Sequence, residues 1–273
     1  MSSEVVVLIG TGSIGLAIGR HAATNRTLLL ADYNETQLTA TSKMLFNEGY
    51  EVHTQVVDVS NREAVSKLAG RASSLGSVTR LIHAAGVSPT QASPEQIVNV
   101  DLLGTAYVLE EFGKIIGKGG AGLVIASQAG HMGDRLSHEL EHDLAYASIK
   151  DLQALPALSS IENSMAAYIL AKRANALRVQ AAAVTWAKRF ARINCLSPGI
   201  IATPLARDEM SGPHAGLYQN MIKTSAARRM GTPAELGEFA AVLLDERGSF
   251  ISGSDFLVDG GVVAAMRAGE FKI

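Results

Sequence analysis

Val5-Val6-Val7-Leu8-Ile9-Gly10-Thr11-Gly12-Ser13-Ile14-Gly15 opens the chain and decides its fold. Unbroken apolar residues from Val5 to Ile9 predict a strand buried on both faces, as in a parallel sheet covered by helices. The glycine loop follows at once and leads into a helix predicted over Gly15–Thr24. Gly10 permits the tight turn, Gly12 lets backbone approach a pyrophosphate, and Gly15 lets helix and strand pack closely. The helix amides, including those of Ser13 and Ile14, then face phosphate oxygens. With 26 glycines in 273 residues, G-x-G-x-x-G arises by chance in roughly one such chain in four, so its context must carry the reading. Asp32 supplies that context. It closes a second apolar run 22 positions after Gly10, where a carboxylate accepts hydrogen bonds from an adenosine ribose. A glycine turn with a capping Asp is the plainer account, but it leaves the order strand, loop, helix, acid unexplained. The same carboxylate repels the 2′-phosphate of NADP. Tyr33 and Asn34 supply no cation and Arg20 lies further along the helix, so NAD is the expected cofactor.

Further strands are predicted at Thr27–Ala31, Glu51–Val57, Arg80–Ala84, Gly122–Ala126, Ala191–Leu196 and Asp255–Val258. Helical stretches separate them at Glu35–Glu48, Arg62–Leu75, Ser93–Ile116, Ala166–Phe190 and Pro233–Leu244. This alternation predicts the α/β class: a doubly wound parallel sheet of the Rossmann type in a single domain, residues 1–273, with ligands at the carboxyl ends of the strands. Residues 131–165 and 204–228 break the rhythm and read as insertions over a substrate. Composition agrees: 47% hydrophobic and 18% charged residues exclude disorder, and a net charge of −2 offers no footprint for nucleic acid or anionic membrane. No apolar run approaches the roughly 18 residues of a membrane span. With no basic leader and a single cysteine, Cys195, a reducing, cytoplasmic setting is expected. Cys195 itself reads as a small buried hydrophobe, and Trp186 as packing or subunit interface.

Two Tyr-x-x-x-Lys pairs, Tyr146/Lys150 and Tyr168/Lys172, have the spacing that puts both side chains on one helix face. An ammonium beside a phenol favours phenolate, drawing the tyrosine pKa down towards working pH, and such a tyrosine can exchange a proton with a substrate oxygen. Position selects Tyr168, near the start of a long helix that feeds the strand ending at Ser197-Pro198-Gly199. Tyr146 falls in the insertion, where Pro156 soon interrupts any helix.

With these pieces in order, the chain resembles the short-chain dehydrogenase/reductases over residues 4–262. The resemblance rests on the glycine loop, Val57-Asp58-Val59, His83-Ala84-Ala85-Gly86, Val100-Asp101-Leu102-Leu103-Gly104, Ala126-Ser127 with Gly130, Tyr168/Lys172, Pro198-Gly199-Ile200-Ile201-Ala202-Thr203, and Ile251-Ser252-Gly253 with Val258-Asp259-Gly260-Gly261. It implies a nicotinamide-dependent oxidoreductase interconverting a secondary alcohol and a carbonyl compound, usually as a dimer or tetramer. It also implies roles. Tyr168 would be the general acid/base, Lys172 would hold the nicotinamide ribose, and Ser127 would bind the substrate oxygen. Asp58 and Val59 would contact adenine, Ala84, Ala85 and Gly86 would flank the ribose, and Pro198, Gly199, Ile201 and Thr203 would hold the nicotinamide end.

The chain departs from that pattern in four places. Its glycine loop is the shorter dinucleotide form, with Ser13 in place of a glycine. His83 stands where Asn is common. Asp101 occupies the position of an asparagine that links the lysine through water to solvent, and an ionised Asp there can pair with Lys172, raising the lysine pKa and altering the relay. Asn99 lies on a different side of that helix. Finally, Ser127 and Tyr168 are 41 positions apart, because the insertion between them is enlarged. A catalytically weak dinucleotide-binding sensor on the same fold is the alternative reading.

The first insertion also contains His138-Glu139-Leu140-Glu141-His142, which satisfies H-E-x-x-H. Glu141 and Asp143 crowd it with charge and no clear third ligand follows, so a solvated acidic helix is expected rather than a metal site. Met132, Leu136, Leu140 and Leu144 recur at helical spacing and read as core. Leu205, Met210, Leu217, Tyr218 and Met221 read as walls of a partly apolar substrate pocket. The tail, residues 262–273, is a candidate for reaching a neighbouring subunit.

Overall fold

The computed structural model describes residues 3–212 and 215–272; parts of the predicted second insertion (213–214) and both chain ends lie outside the described residues. In chain order the strands are β1 (Glu4–Ile9), β2 (Thr27–Asp32), β3 (Val52–Val56), β4 (Ser77–His83), β5 (Ala121–Ile125), β6 (Arg192–Pro198) and β7 (Asp255–Val258). They form one seven-stranded sheet in the order β3-β2-β1-β4-β5-β6-β7, every pair parallel. The order reverses direction between β1 and β4, which opens a crevice at the carboxyl ends of these two strands.

Alternation along β1 shows how the sheet is covered. Val5, Val7 and Ile9 join one core with α3 (Arg62–Leu75), α5 (Thr105–Ile115) and α9 (Ser164–Ala187), while Val6 and Leu8 join another with α1 (Ser13–Ala22), α2 (Glu35–Asn47) and α12 (Pro233–Leu244). Successive strand side chains point to opposite faces, so a strand apolar at every position demands helices on both. The remaining helices are α4 (Pro94–Ile97), α6 (His138–Tyr146), α7 (Ile149–Gln153), α8 (Pro156–Ser159), α10 (Pro204–Glu209), α11 (Ala215–Thr224) and α13 (Val262–Arg267). Among the described residues no helix is long and apolar enough to cross a membrane.

Two sequence expectations change. The helix expected over Ser93–Ile116 is α4 and α5 joined by a π-helical stretch, Val98–Gly104, which carries Asp101 inward. The first insertion is largely helical (α6, α7, α8), and the ion pair of Glu141 with Arg173 ties α6 to α9. Glu141 is thereby committed to packing, and among the described residues no three His, Cys, Asp or Glu side chains are grouped to hold a metal. The tail folds back on its own chain: Phe271 and Val262 pack with Met221 of α11. Trp186 is core rather than interface, fully buried with its indole N–H donating to the Leu109 carbonyl at 3.2 Å. Cys195 is buried, and burial pushes its thiol well above the ordinary range.

Candidate active site

Two clefts meet at the carboxyl edge of the sheet. The larger, about 970 Å³, lies over the crevice between β1 and β4 and is walled by the glycine loop, Asp32, Asp58, Val59 and the Ala84–Gly86 turn. The smaller, about 240 Å³, is walled by Ser127, Tyr168, Lys172, Pro198, Gly199, Ile201 and Thr203. Ile14, Ala84, Gly86 and Thr203 line both, so the two are one continuous groove.

The loop end is shaped for a dinucleotide. Gly10 has φ +93° and its Cα is so close to the Ala84–Ala85 backbone that a Cβ would lie 2.4 Å from the Ala85 nitrogen, so only glycine fits. A Cβ on Gly12 would meet nothing within 4 Å and would project into space a phosphate can fill. Gly12 caps α1 without a side-chain partner, which leaves the first amides of α1 open to an anion. At the end of β2, Asp32 accepts hydrogen bonds from the Thr11 amide (2.6 Å) and hydroxyl (2.8 Å) and from the Asn34 amide (3.0 Å). None of the described residues lining this cleft is Lys or Arg. Arg20 does not line it and is paired with Glu48 at 2.9 Å.

At the other end, α9 starts at its Asn163 cap, whose side chain accepts from the Ala166 amide, and presents Tyr168 and Lys172 one turn apart. Lys172 Nζ stands 5.2 Å from the Tyr168 ring centre. Ser127, just past the end of β5, lines the smaller cleft together with Tyr168. Gly130 brings the two elements together, since a Cβ there would lie 2.8 Å from the Lys172–Arg173 backbone. The other pair separates: Tyr146 ends α6, exposed, and Lys150 sits on α7.

Behind the groove, Asp101 is fully buried and its Oδ2 faces Lys172 Nζ at 3.0 Å, while its Oδ1 accepts from the Val87 amide at 2.8 Å. Gly86 makes room for the pair. A Cβ there would stand 3.1 Å from Lys172 Nζ and 3.2 Å from Asp101 Oδ1. Asp101, expected among the catalytic residues, therefore does not line either cleft; it backs the lysine. Lys172 does draw the Tyr168 phenol down, as expected, but not below its ordinary value. Burial raises that phenol and the Asp101 charge adds to the rise, together outweighing the pull of Lys172. For Lys172, burial works downwards but neighbouring negative charge, that of Asp101 first, prevails and holds its ammonium above the ordinary value.

Sequence reasoning missed several walls. Met132 lies before α6 rather than on it and lines the smaller cleft, whereas Leu144 is core and Leu136 and Leu140 pack against the core. Leu205, Leu217, Tyr218 and Met221 line the smaller cleft as expected, but Met210 does not. Glu209 joins them, and burial, followed by the negative charge of Glu209, pushes the Tyr218 phenol up. Asn99 lines the nucleotide-side cleft, away from Lys172. No spacing rule links positions so far apart in the chain.

Sheet order, crevice and groove define a Rossmann-type α/β protein. Residues 4–139 match the family described as short chain dehydrogenase, and residues 145–263 the one described as enoyl-(acyl carrier protein) reductase. A short-chain dehydrogenase/reductase, bsc3, of Alternaria brassicicola is 36% identical over 97% of both chains. Galactitol 2-dehydrogenase (L-tagatose-forming) of Cereibacter sphaeroides is 27% identical, over 96% of this chain and 95% of that one. A solved short-chain type dehydrogenase/reductase from Mycobacterium ulcerans shares the fold with a TM-score of 0.77, at 19% identity over 96% of this chain and 90% of that one. The chain belongs to the short-chain dehydrogenase/reductase family, oxidoreductases that use NAD(P) nicotinamide cofactors.

Proposed function

We propose that the protein is an NAD-dependent oxidoreductase that interconverts a secondary alcohol and a ketone. The observation that carries this reading is the meeting of the nucleotide-side cleft with a small pocket at which Tyr168, Lys172 and Ser127 converge. The bound nicotinamide would supply or accept the hydride. Ser127 positions the substrate oxygen, Tyr168 gives it a proton or takes one, and Lys172 holds the ribose beside them. Gly10, Gly12, Ser13, Ile14 and Gly15 cradle the pyrophosphate, Asp32 holds the adenosine ribose, and Asp58 and Val59 flank the adenine. Ala84, Ala85 and Gly86 border the ribose, and Pro198, Gly199, Ile201 and Thr203 seat the nicotinamide.

NAD is favoured over NADP because Asp32 puts a carboxylate where a 2′-phosphate would lie and no cation lines the cleft among the described residues. Residues 131–165 and 204–228 act as the substrate cover, contributing Met132, Leu205, Leu217 and Met221 to an apolar wall. A cavity of about 150 Å³ holds one benzene ring, so this pocket suits a compact, mainly apolar substrate. A homo-oligomer belongs to the same reading, supported by the exposed Val184 and Phe190 near the end of α9. Replacing Tyr168 with Phe tests the assignment: turnover across an alcohol and ketone panel should vanish while NAD binding persists. Near-normal turnover in that variant refutes it.

A further inference from the structure

A lysine that assists a tyrosine base does so as a positive charge, and here that charge is matched inside the protein. Asp101 is wholly shielded from solvent, Lys172 is 6% exposed, and their charged atoms are 3.0 Å apart. The other Asp101 oxygen is held by the Val87 amide, so the carboxylate cannot swing away without losing that bond. From Tyr168, whose ring centre is 5.2 Å from Lys172 Nζ, the pair presents a dipole rather than a cation. A dipole stabilises a phenolate far less than a lone charge at the same distance.

The remaining groups around Tyr168 do not restore the missing charge. Ser127, from the end of β5, favours the phenolate by hydrogen bonding. Glu209 of α10 opposes it with negative charge, and Tyr218 of α11 is itself held as a phenol. His83, beneath Lys172, is neutral, its imidazole pushed down to about 3 by burial and then by the lysine.

We propose that Asp101, by matching the Lys172 charge inside a buried site, makes Tyr168 a proton donor, suited to carbonyl reduction, with alcohol oxidation confined to alkaline conditions. In reduction the carbonyl carbon receives a hydride from NADH, the oxygen receives the Tyr168 proton, and the phenolate is reprotonated from solvent. Asp101 is thus a positioning residue that acts through Lys172. The inference rests on the reading of Tyr168 as the acid/base group.

Phenolate absorbance, titrated in the protein without cofactor and taken as wild type minus Tyr168→Phe, isolates Tyr168. In the wild type Tyr168 should remain less than half ionised at the ordinary tyrosine value of 10.0. In Asp101→Asn the midpoint should fall by about one unit or more, giving about tenfold more phenolate at a given pH below it. The pH profile of oxidation should move to the acid side by the same amount. A wild-type midpoint below 10.0, or a midpoint unmoved in a folded Asp101→Asn variant, overturns the inference. A wild-type midpoint below 10.0 overturns it even where Asp101→Asn does not fold, and Asp101→Ser then takes the place of that variant in the comparison. Retained turnover in Tyr168→Phe instead overturns the function proposed above, so the two failures are distinct.

Discussion

Thr11 and Asp32 are joined twice: the backbone amide and the hydroxyl of the threonine both donate to one carboxylate oxygen, at 2.6 and 2.8 Å. The carboxylate proposed to hold the adenosine ribose therefore also sets the shape of the glycine loop. Asp32→Ala should weaken NAD binding at least about tenfold, because it removes the ribose acceptor and loosens the loop together, and it should narrow the gap between NAD and NADP. Thr11→Val keeps the amide bond and loses only the hydroxyl, so its effect should be about fivefold, the worth of one hydrogen bond near 1 kcal/mol. Titration calorimetry with both cofactors checks this. Tighter NADP than NAD binding in the wild type refutes the cofactor assignment.

Gly86 gives a steric test of the buried ion pair. A methyl group there would stand 3.1 Å from Lys172 Nζ and 3.2 Å from Asp101 Oδ1, closer than ordinary contact, with both residues buried. Gly86→Ala should cost about 1–3 kcal/mol of stability, as overpacking does, and should impair turnover more than stability alone explains. Urea unfolding alongside steady-state kinetics separates the two effects. An unchanged unfolding midpoint would show that the pair has room to move.

His83 predicts an acid-sensitive fold. Burial, then the Lys172 charge, holds its imidazole at about 3 against an ordinary 6.5. Between these values the unfolded chain binds a proton that the folded protein refuses, so stability is full above 6.5 and is lost as pH falls towards 3. From about pH 7 to about pH 5 the wild type should lose about 2 kcal/mol more than His83→Gln. Equal losses in urea titrations at the two pH values would remove His83 from the account.

Trp186 should be the costliest single truncation on the face of β5 that packs against α5 and α9. Its ring is packed so closely that a Cβ on Gly113 or Gly122 would come within 2.8 Å of it. Trp186→Ala should destabilise by about 3–5 kcal/mol without altering the order of cofactor preference. Denaturant midpoints and cofactor titrations report the two quantities separately.

What the sequence determined by itself was local and periodic. An apolar run at every position of β1, the glycine loop and Asp32 at the next strand end specify a parallel sheet with its crevice, and α3 (Arg62–Leu75), α12 (Pro233–Leu244) and β7 (Asp255–Val258) fall at the bounds expected of them. Tyr168 and Lys172 were legible because i, i+4 spacing is a property of one helix. Tertiary structure decided the rest. The tyrosine of the rival pair ended up on a different helix from its lysine. Met132 came to the pocket wall, and Phe271 packed with Met221 of its own chain. Above all, Asp101 and Lys172 lie 71 positions apart, and only the π-helical stretch and the gap left by Gly86 bring their charges within 3.0 Å. Residue type could suggest that pairing, but whether two buried charges cancel depends on distance and desolvation, which packing alone settles.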